Sequence, residues 1–416
     1  MSAITLSDDQ QKGYEAFVAF ILDPDADRFV ISGGAGTGKS TLVNRLLLDL
    51  PATMKMAKLL LQADIQWNVA LTATTNKAAE ALHSLLDKKQ EVITIQSLLG
   101  LRVNRNFKAR STTLLPTSPP GHITNYIIFI DELSYVDNIL LDLIDSMTDK
   151  CKIVYIGDYD QVLAVKAKTC SIEQQNYPEV ILDKIVRQAE GNPIIELAAA
   201  FRQTVRTGIF PQFTPDSYYI KHLTKNDFEH AVIAEFSRPD WEANDAKVIV
   251  WTNKCVSFYN ENIRNILQGD SEIQVDDYVV CNNYINTTTC KMKTDQTALI
   301  TKKEAVTRHG VEGHVFTLNG IYMAFMPSSR EERKALLKAA EHAANYKLIL
   351  YIESNWIDLR AEFSCTVNKA QGDTYKKVFI DLNNLKKCRN YNTLARMLYV
   401  ATSRASQHVI FTGDLV

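Results

Sequence analysis

Apolar residues in this chain fall in short unbroken blocks that end in polar or acidic residues, and segments with helical spacing lie between the blocks. Arg28–Ser32, Val69–Ala73, Tyr126–Ile130, Lys152–Ile156, Lys247–Trp251, Val378–Asp381 and His408–Phe411 read as buried strands. Continuous apolarity, rather than alternation, is what a parallel strand covered on both faces requires. Helices are predicted over Thr41–Leu50, from the Thr74–Lys77 cap to Leu86, over Val256–Leu267, near Arg330–Ala344 and over Met397–Ala405. An opening helix starts at Ser7, with Gln10 three residues later, the spacing of a capping box. Strands alternating with helices predict an α/β fold built on parallel sheets.

The pattern breaks twice. Residues 99–120 carry Arg102, Arg105, Lys108 and Arg110 around Phe107 and then Pro116, Pro119 and Pro120, with Gly121 directly after, which reads as a small hairpin insert. Residues 271–352 switch to short strand-like runs and one charged helix, which reads as a small β-rich insert. With 416 residues the chain exceeds one ordinary domain. The expected division is a first α/β domain over 1–98 and 121–186, interrupted by the hairpin, and a second over 187–270 and 353–416, interrupted by the β-rich insert.

Composition narrows the class without naming a partner. At 46% hydrophobic and 23% charged residues the chain is an ordinary globular one. A formal net charge of −2 means that any nucleic-acid partner must be held by local basic patches such as 102–110, where four basic residues meet no acid. The opening residues include Asp8 and Asp9 and no secretion signal, no apolar run reaches membrane-spanning length, and no membrane partner is expected. Seven cysteines without a C-x-x-C pair point to reduced thiols and a cytoplasmic location, and the eight histidines show no metal-ligand spacing.

The chemistry centres on Gly33-Gly34-Ala35-Gly36-Thr37-Gly38-Lys39-Ser40, which fits the phosphate-cradling pattern G-x-x-x-x-G-K-[ST] between a strand and a helix opening at Thr41. Its glycines allow a tight turn with N–H groups aimed inward, and the helix N-terminus adds partial positive charge. Lys39 is expected on the β- and γ-phosphates of ATP and Ser40 on Mg²⁺. Asp131-Glu132 closes a central strand, where acids meet ligands at the carboxyl edge of an α/β sheet. Asp131 is assigned to Mg²⁺ and Glu132 to the attacking water. Gly157-Asp158 closes another strand, and Gln161 is a candidate sensor of the γ-phosphate. Thr75-Asn76 and Thr252-Asn253 are hydroxyl- and amide-rich strand exits suited to a sugar-phosphate backbone, or to helix capping alone.

The ordered set of these motifs, with Arg187, Thr366-x-x-Lys369-Ala370-Gln371-Gly372 and Tyr399-Val400-Ala401-Thr402-Ser403-Arg404, resembles superfamily 1 helicases. The K-A-Q-G form looks like the RecD/Dda branch, most like bacteriophage Dda-type DNA helicases. The likeness runs almost end to end and is weakest over residues 270–350. It implies two RecA-like motor domains, ATP and Mg²⁺ as cofactors, 5′-to-3′ movement on single-stranded DNA and unwinding of fork DNA by a monomer. A single-strand-binding protein or replisome component is an implied partner, in a bacterial or phage-infected cytoplasm. By the same resemblance Gln10 matches the adenine-reading glutamine, Gly372 joins the nucleotide-binding set, and Arg187 and Arg404 match two arginines that stabilise γ-phosphate charge. Thr75, Ser97, Thr252 and Thr366 fall in or near DNA-contacting motifs, and Phe107 sits where relatives carry a strand-splitting pin. Gln96 stands where relatives usually have His, and Lys293-Thr294-Asp295-Gln296 replaces an Asn-Gly-rich turn. A P-loop ATPase acting on RNA or nucleoprotein is the rival reading, and a DNA-binding module without catalysis is a second.

Overall fold

The structure is a computed structural model that describes residues 6–61, 66–86, 91–106, 111–116, 122–164, 167–184, 192–212, 215, 218–269 and 272–415, with backbone alone across 102–106 and 111–116. The chain divides into two compact units. The first comprises Met1–Phe213, Gln371–Asp373 and Asn390–Ser403, and the second Thr214–Ala370, Thr374–Arg389 and Arg404–Val416.

The first unit is built on a six-stranded sheet in the order Glu179–Leu182, Arg28–Gly33, Lys152–Gly157, Tyr126–Asp131, Asn68–Ala73, Val92–Thr94. Every neighbouring pair is parallel, so all the carboxyl ends share one edge. Successive side chains point to opposite faces. Phe29, Ile31, Ile127, Phe129, Val154 and Ile156 therefore enter one core, with the helices Asp8–Leu22, Lys39–Leu60 and Asn76–Leu85. Val30, Ile128, Ile130, Ile153 and Tyr155 enter a second core, closed by the helix Asn138–Met147. The central strands Arg28–Gly33, Tyr126–Asp131 and Lys152–Gly157 are covered on both faces, which is why they read as apolar runs.

Three elements differ from the sequence-based expectation. The helix opening at Lys39 passes through Pro51 to Leu60 instead of ending at Leu50, because its buried stripe of Leu42, Val43, Leu46 and Leu50 continues through Thr53 and Ala57. The expected helix Met397–Ala405 is Tyr391–Ser403, and Ala405 already belongs to the last strand. That helix and Pro193–Thr207 both belong to the first unit, whereas the expected boundary at 186/187 puts them in the second. They pack on each other, with Ile194, Leu197, Phe201 and Val205 buried on one and Leu394, Leu398 and Thr402 on the other. The hairpin insert is present as Leu101–Asn106 paired antiparallel with Ser111–Pro116. Phe107, Lys108 and Arg110 lie outside the described residues.

The second unit has a five-stranded parallel sheet in the order Ile220–Leu223, Ala405–Thr412, Tyr375–Asp381, Ala246–Val250, Ser364–Thr366. Beside it stands an antiparallel sheet, Tyr322–Pro327, Val311–Leu318, Thr297–Arg308, Tyr278–Cys281, Leu359–Ala361. This is the β-rich insert, and its last strand extends past residue 352. Two helices, Arg330–His342 and Tyr346–Asn355, cover Phe325 and the fully buried Trp356. Asp295, where relatives carry an Asn-Gly-rich turn, has a left-handed backbone (φ 65°), and its carboxylate accepts from Lys369 Nζ at 2.5 Å.

Candidate functional site

The loop after Arg28–Gly33 is shaped by its glycines. A Cβ on Gly33 would lie 2.6 Å from the Leu182 carbonyl oxygen, so no larger residue fits there. Gly38 is left-handed (φ 82°) and N-caps Lys39–Leu60 with no side chain to offer. The first N–H groups of a 22-residue helix are therefore uncapped by any side chain, an arrangement suited to an anion. Lys39 Nζ folds back on the carbonyl oxygens of Gly33 at 2.7 Å and Gly34 at 2.9 Å. Burial pushes its ammonium below the ordinary lysine range, against the pull of Asp158 and Asp131. An arriving phosphate would supply the counter-charge that these carbonyls only partly provide. Gln10, 1% exposed, accepts from Ser7 N–H at 2.9 Å, as the capping box predicts, and donates to the Gly38 carbonyl at 3.1 Å. The structure thus ties this candidate adenine reader to the last glycine of the loop.

Two strands along the same edge bring in the acids. Burial and then the charge of Glu132 lift Asp131 to about 7. A carboxyl so short of compensating charge fits a cation. One carboxylate with the Ser40 hydroxyl is the sparse set that suits Mg²⁺ also held by phosphate oxygens. Among the described residues no cluster of three or more His, Cys, Asp or Glu forms an all-protein metal cage. Glu132 has a left-handed backbone (φ 60°), uncommon for a non-glycine residue and a form of strain that concentrates at functional positions. Its Oε2 accepts from Gln371 Nε2 at 2.9 Å, and its carbonyl accepts from Thr74 Oγ1 at 3.2 Å. Gln371 therefore reaches this edge although it lies far along the chain, and Gln371–Asp373, with Gly372, group with the first unit.

Asp158, fully buried, closes the neighbouring strand. Tyr399 donates its hydroxyl to Asp158 Oδ2 at 2.5 Å and accepts the Ala35 N–H at 2.8 Å, which links the acid to the loop. Burial, reinforced by Asp158, holds the Tyr399 phenol well above its ordinary range, so it keeps the proton it donates. Arg202 Nε lies 3.4 Å from Asp158 Oδ1 and 3.1 Å from Asp160 Oδ2. Arg396 donates to the carbonyls of Tyr159 and, at 2.8 Å, Gln161, and so clamps the Gly157–Gln161 turn. Sequence reasoning gave no role to Tyr399, Asp158, Gln371, Arg202 or Arg396. The first three lie inside quoted motifs, which is a usable signal. Arg202 and Arg396 have none, since neither lies in a quoted motif.

The candidate nucleic-acid residues occupy strand exits in both units. In the first, Thr75 N-caps Asn76–Leu85 by accepting the Ala78 N–H at 3.1 Å, and Ser97 Oγ lies 2.8 Å from Thr94 Oγ1. Gln96, in the histidine position of relatives, donates to the Thr74 carbonyl at 3.3 Å. In the second, Thr252 caps the helix that Asn253 opens, and Thr366 Oγ1 accepts the Lys369 N–H at 3.4 Å. Helix capping is thus real at Thr75 and Thr252, and a capping hydroxyl still has its O–H to donate. Arg404 belongs to the second unit and is 8% exposed, its carbonyl accepting from Tyr375 N–H at 2.8 Å. Arg187 lies outside the described residues.

Two family models match the chain, an AAA domain over residues 19–167 and a UvrD-like helicase C-terminal domain over residues 363–412. An uncharacterized protein of Acanthamoeba polyphaga mimivirus is 22% identical and aligns over 97% of this chain and 98% of its own length. The RecBCD enzyme subunit RecD of Buchnera aphidicola is 24% identical over 62% of this chain. The chain spans about half the length of that subunit, 48%. Among solved structures, Pif1 helicase from Candida albicans superposes with a TM-score of 0.52 at 18% identity, covering 99% of this chain and 96% of that one. Pif1 helicase from Bacteroides in complex with ADP-AlF3 and single-stranded DNA gives 0.53 at 15% identity, covering 99% and 93%. The parallel sheets of both units match the two RecA-like domains of these helicases. The chain is thus similar to an AAA domain, a UvrD-like helicase C-terminal domain and RecD subunits, and none of these likenesses singles out a Dda-type branch.

Proposed function

We propose that this chain is an ATP-driven DNA helicase that hydrolyses ATP with Mg²⁺, moves 5′-to-3′ along single-stranded DNA and separates duplex DNA. The observation that carries this reading is the convergence on one sheet edge of the loop with Lys39, the Asp131-Glu132 pair and the Gly157–Gln161 turn. Lys39 and the uncapped N–H groups hold the phosphates. Ser40 and Asp131 hold Mg²⁺, which when bound withdraws charge from the phosphate oxygens. Glu132 takes a proton from the attacking water. Thr75, Asn76 and Ser97 in one unit and Thr252, Asn253 and Thr366 in the other offer hydroxyls and amides to backbone phosphates, contacts that position DNA without reading sequence. The single-stranded DNA in the Bacteroides Pif1 structure supports DNA as the track. The 5′-to-3′ direction rests on the motif resemblance alone.

The test is ATP hydrolysis with and without single-stranded DNA or RNA of matched length. DNA is expected to stimulate the parent protein, and Lys39→Ala to remove turnover while circular dichroism stays unchanged. Stimulation by RNA alone points to an RNA-acting ATPase, and near-normal turnover in Lys39→Ala rejects the site.

A further inference from the structure

Gln371 is 5% exposed, yet only half of its amide is satisfied. Nε2 donates to Glu132 Oε2 at 2.9 Å and lies 3.3 Å from Ser134 Oγ. Its Oε1 is buried and has no hydrogen-bond partner among the described residues. The orientation follows from chemistry, because an ionised carboxylate only accepts and the NH₂ group must face it. The bare carbonyl oxygen is thereby fixed beside the carboxylate that is placed to activate water. A buried acceptor left unpaired costs free energy, so an unfilled acceptor here calls for a donor in the working state.

We infer that Gln371 positions the attacking water, its Oε1 accepting one hydrogen while Glu132 accepts the other; this rests on the reading of the site as an ATP hydrolase. Water held by both of its hydrogens presents a lone pair to the γ-phosphorus. As attack proceeds, the O–H bond facing Glu132 breaks and its proton passes to the carboxylate. The new bond joins the water oxygen to phosphorus, the bond from phosphorus to the bridging oxygen breaks, and that electron pair leaves on ADP. Gln371 is unchanged throughout. Its amide suits both duties, since Nε2 occupies one carboxylate oxygen of Glu132 and leaves the other for water. Neither Glu nor Ala combines that donor with that acceptor at neutral pH.

The experiment uses the full chain with Mg-ATP and saturating single-stranded DNA. Gln371→Ala is expected to lower kcat about 10²-fold, the scale of a lost positioned acid–base partner, with KM for ATP and affinity for ADP within about threefold of the parent, because the inferred role touches the water and not the nucleotide. Affinity for ADP with aluminium fluoride, a mimic of the transferring phosphoryl group with its in-line water, is expected to fall in parallel with kcat. Gln371→Asn, which keeps the amide on a shorter arm, is expected to recover part of both losses. A structural role would lower ADP affinity together with kcat and leave the ratio of analogue to ADP affinity unmoved. That result overturns the inference, as does a parental kcat or a DNA-free rate above the parent's, which would make Gln371 a brake. If the parent itself does not hydrolyse ATP, the site reading falls and takes this role with it. If the parent turns over and Gln371→Ala matches it, only the role of Gln371 falls.

Discussion

Tyr399→Phe removes one oxygen atom and tests whether the network joining Asp158 to the phosphate loop holds that loop in place. The lost hydroxyl donates to Asp158 Oδ2 at 2.5 Å and accepts Ala35 N–H at 2.8 Å, with Tyr399 only 2% exposed. A hydrogen bond to a charged group contributes about 1.5–3 kcal/mol and a neutral one about 0.5–1.5 kcal/mol. Losing both costs about 2–4 kcal/mol, nearer the lower figure because Arg202 Nε still lies 3.4 Å from Asp158. For a domain of 150–250 residues each kcal/mol shifts the midpoint by roughly 2–4 °C, so a fall of roughly 5–15 °C is expected. Calorimetry on parent and variant measures it, and the informative transition is the one that Mg-ADP raises, because Tyr399 belongs to the unit that carries the loop. Bound phosphate gives Ala35 N–H a new acceptor, so saturating Mg-ADP should narrow the gap between the two proteins. A shift below about 1 °C without nucleotide, smaller than the loss of even the weaker bond implies, would refute the reasoning.

Glu132→Gln is expected to bind Mg-ATP at near-parental affinity and to turn it over about 10²-fold or more slowly, since an amide cannot accept the water's proton; single-turnover kinetics decide it, and a parental rate removes Glu132 from the chemistry. Burial and Glu132 hold Asp131 at about 7 in the metal-free protein, so below that pH a proton must leave before Mg²⁺ enters. Affinity for Mg-ADP should therefore rise with pH up to about 7 and level off above it, with up to about a tenfold change per unit below; identical titrations at pH 6 and pH 8 contradict this. Phe107→Ala is expected to keep DNA-stimulated ATPase and lose much of the strand separation, because Phe107 lies among basic residues in an insert that the motif resemblance reads as a strand-splitting pin; unwinding at the parental rate excludes it as the wedge.

Much of this architecture is legible in the chain because the central strands of its two parallel sheets are covered on both faces. Strands such as Tyr126–Asp131 and Lys152–Gly157 show as unbroken apolar runs, and their ligand-binding ends show as Asp131-Glu132 and Gly157-Asp158. Helix ends are less legible. Pro51 reads as a stop, yet the stripe through Thr53 and Ala57 carries the helix on. Domain membership is less legible still, because it depends on long-range packing. Tyr391–Ser403 follows the second half of the sequence but buries its apolar face against Pro193–Thr207. That packing brings Tyr399 and Arg396 to Asp158 and the turn beside it, and no local pattern around either residue encodes such a partner. Gln371 lies within a quoted motif, but its duty becomes visible only when Glu132 is found 2.9 Å away.

The most direct test of the central claim is strand displacement on one duplex carrying a 5′ single-stranded tail, a 3′ tail or none, with Mg-ATP and with Lys39→Ala as the inactive control. The account predicts release of the displaced strand from the 5′-tailed duplex only, and none with Lys39→Ala. ATP hydrolysis without displacement from any substrate contradicts the helicase assignment, and displacement from the 3′-tailed duplex alone contradicts its direction.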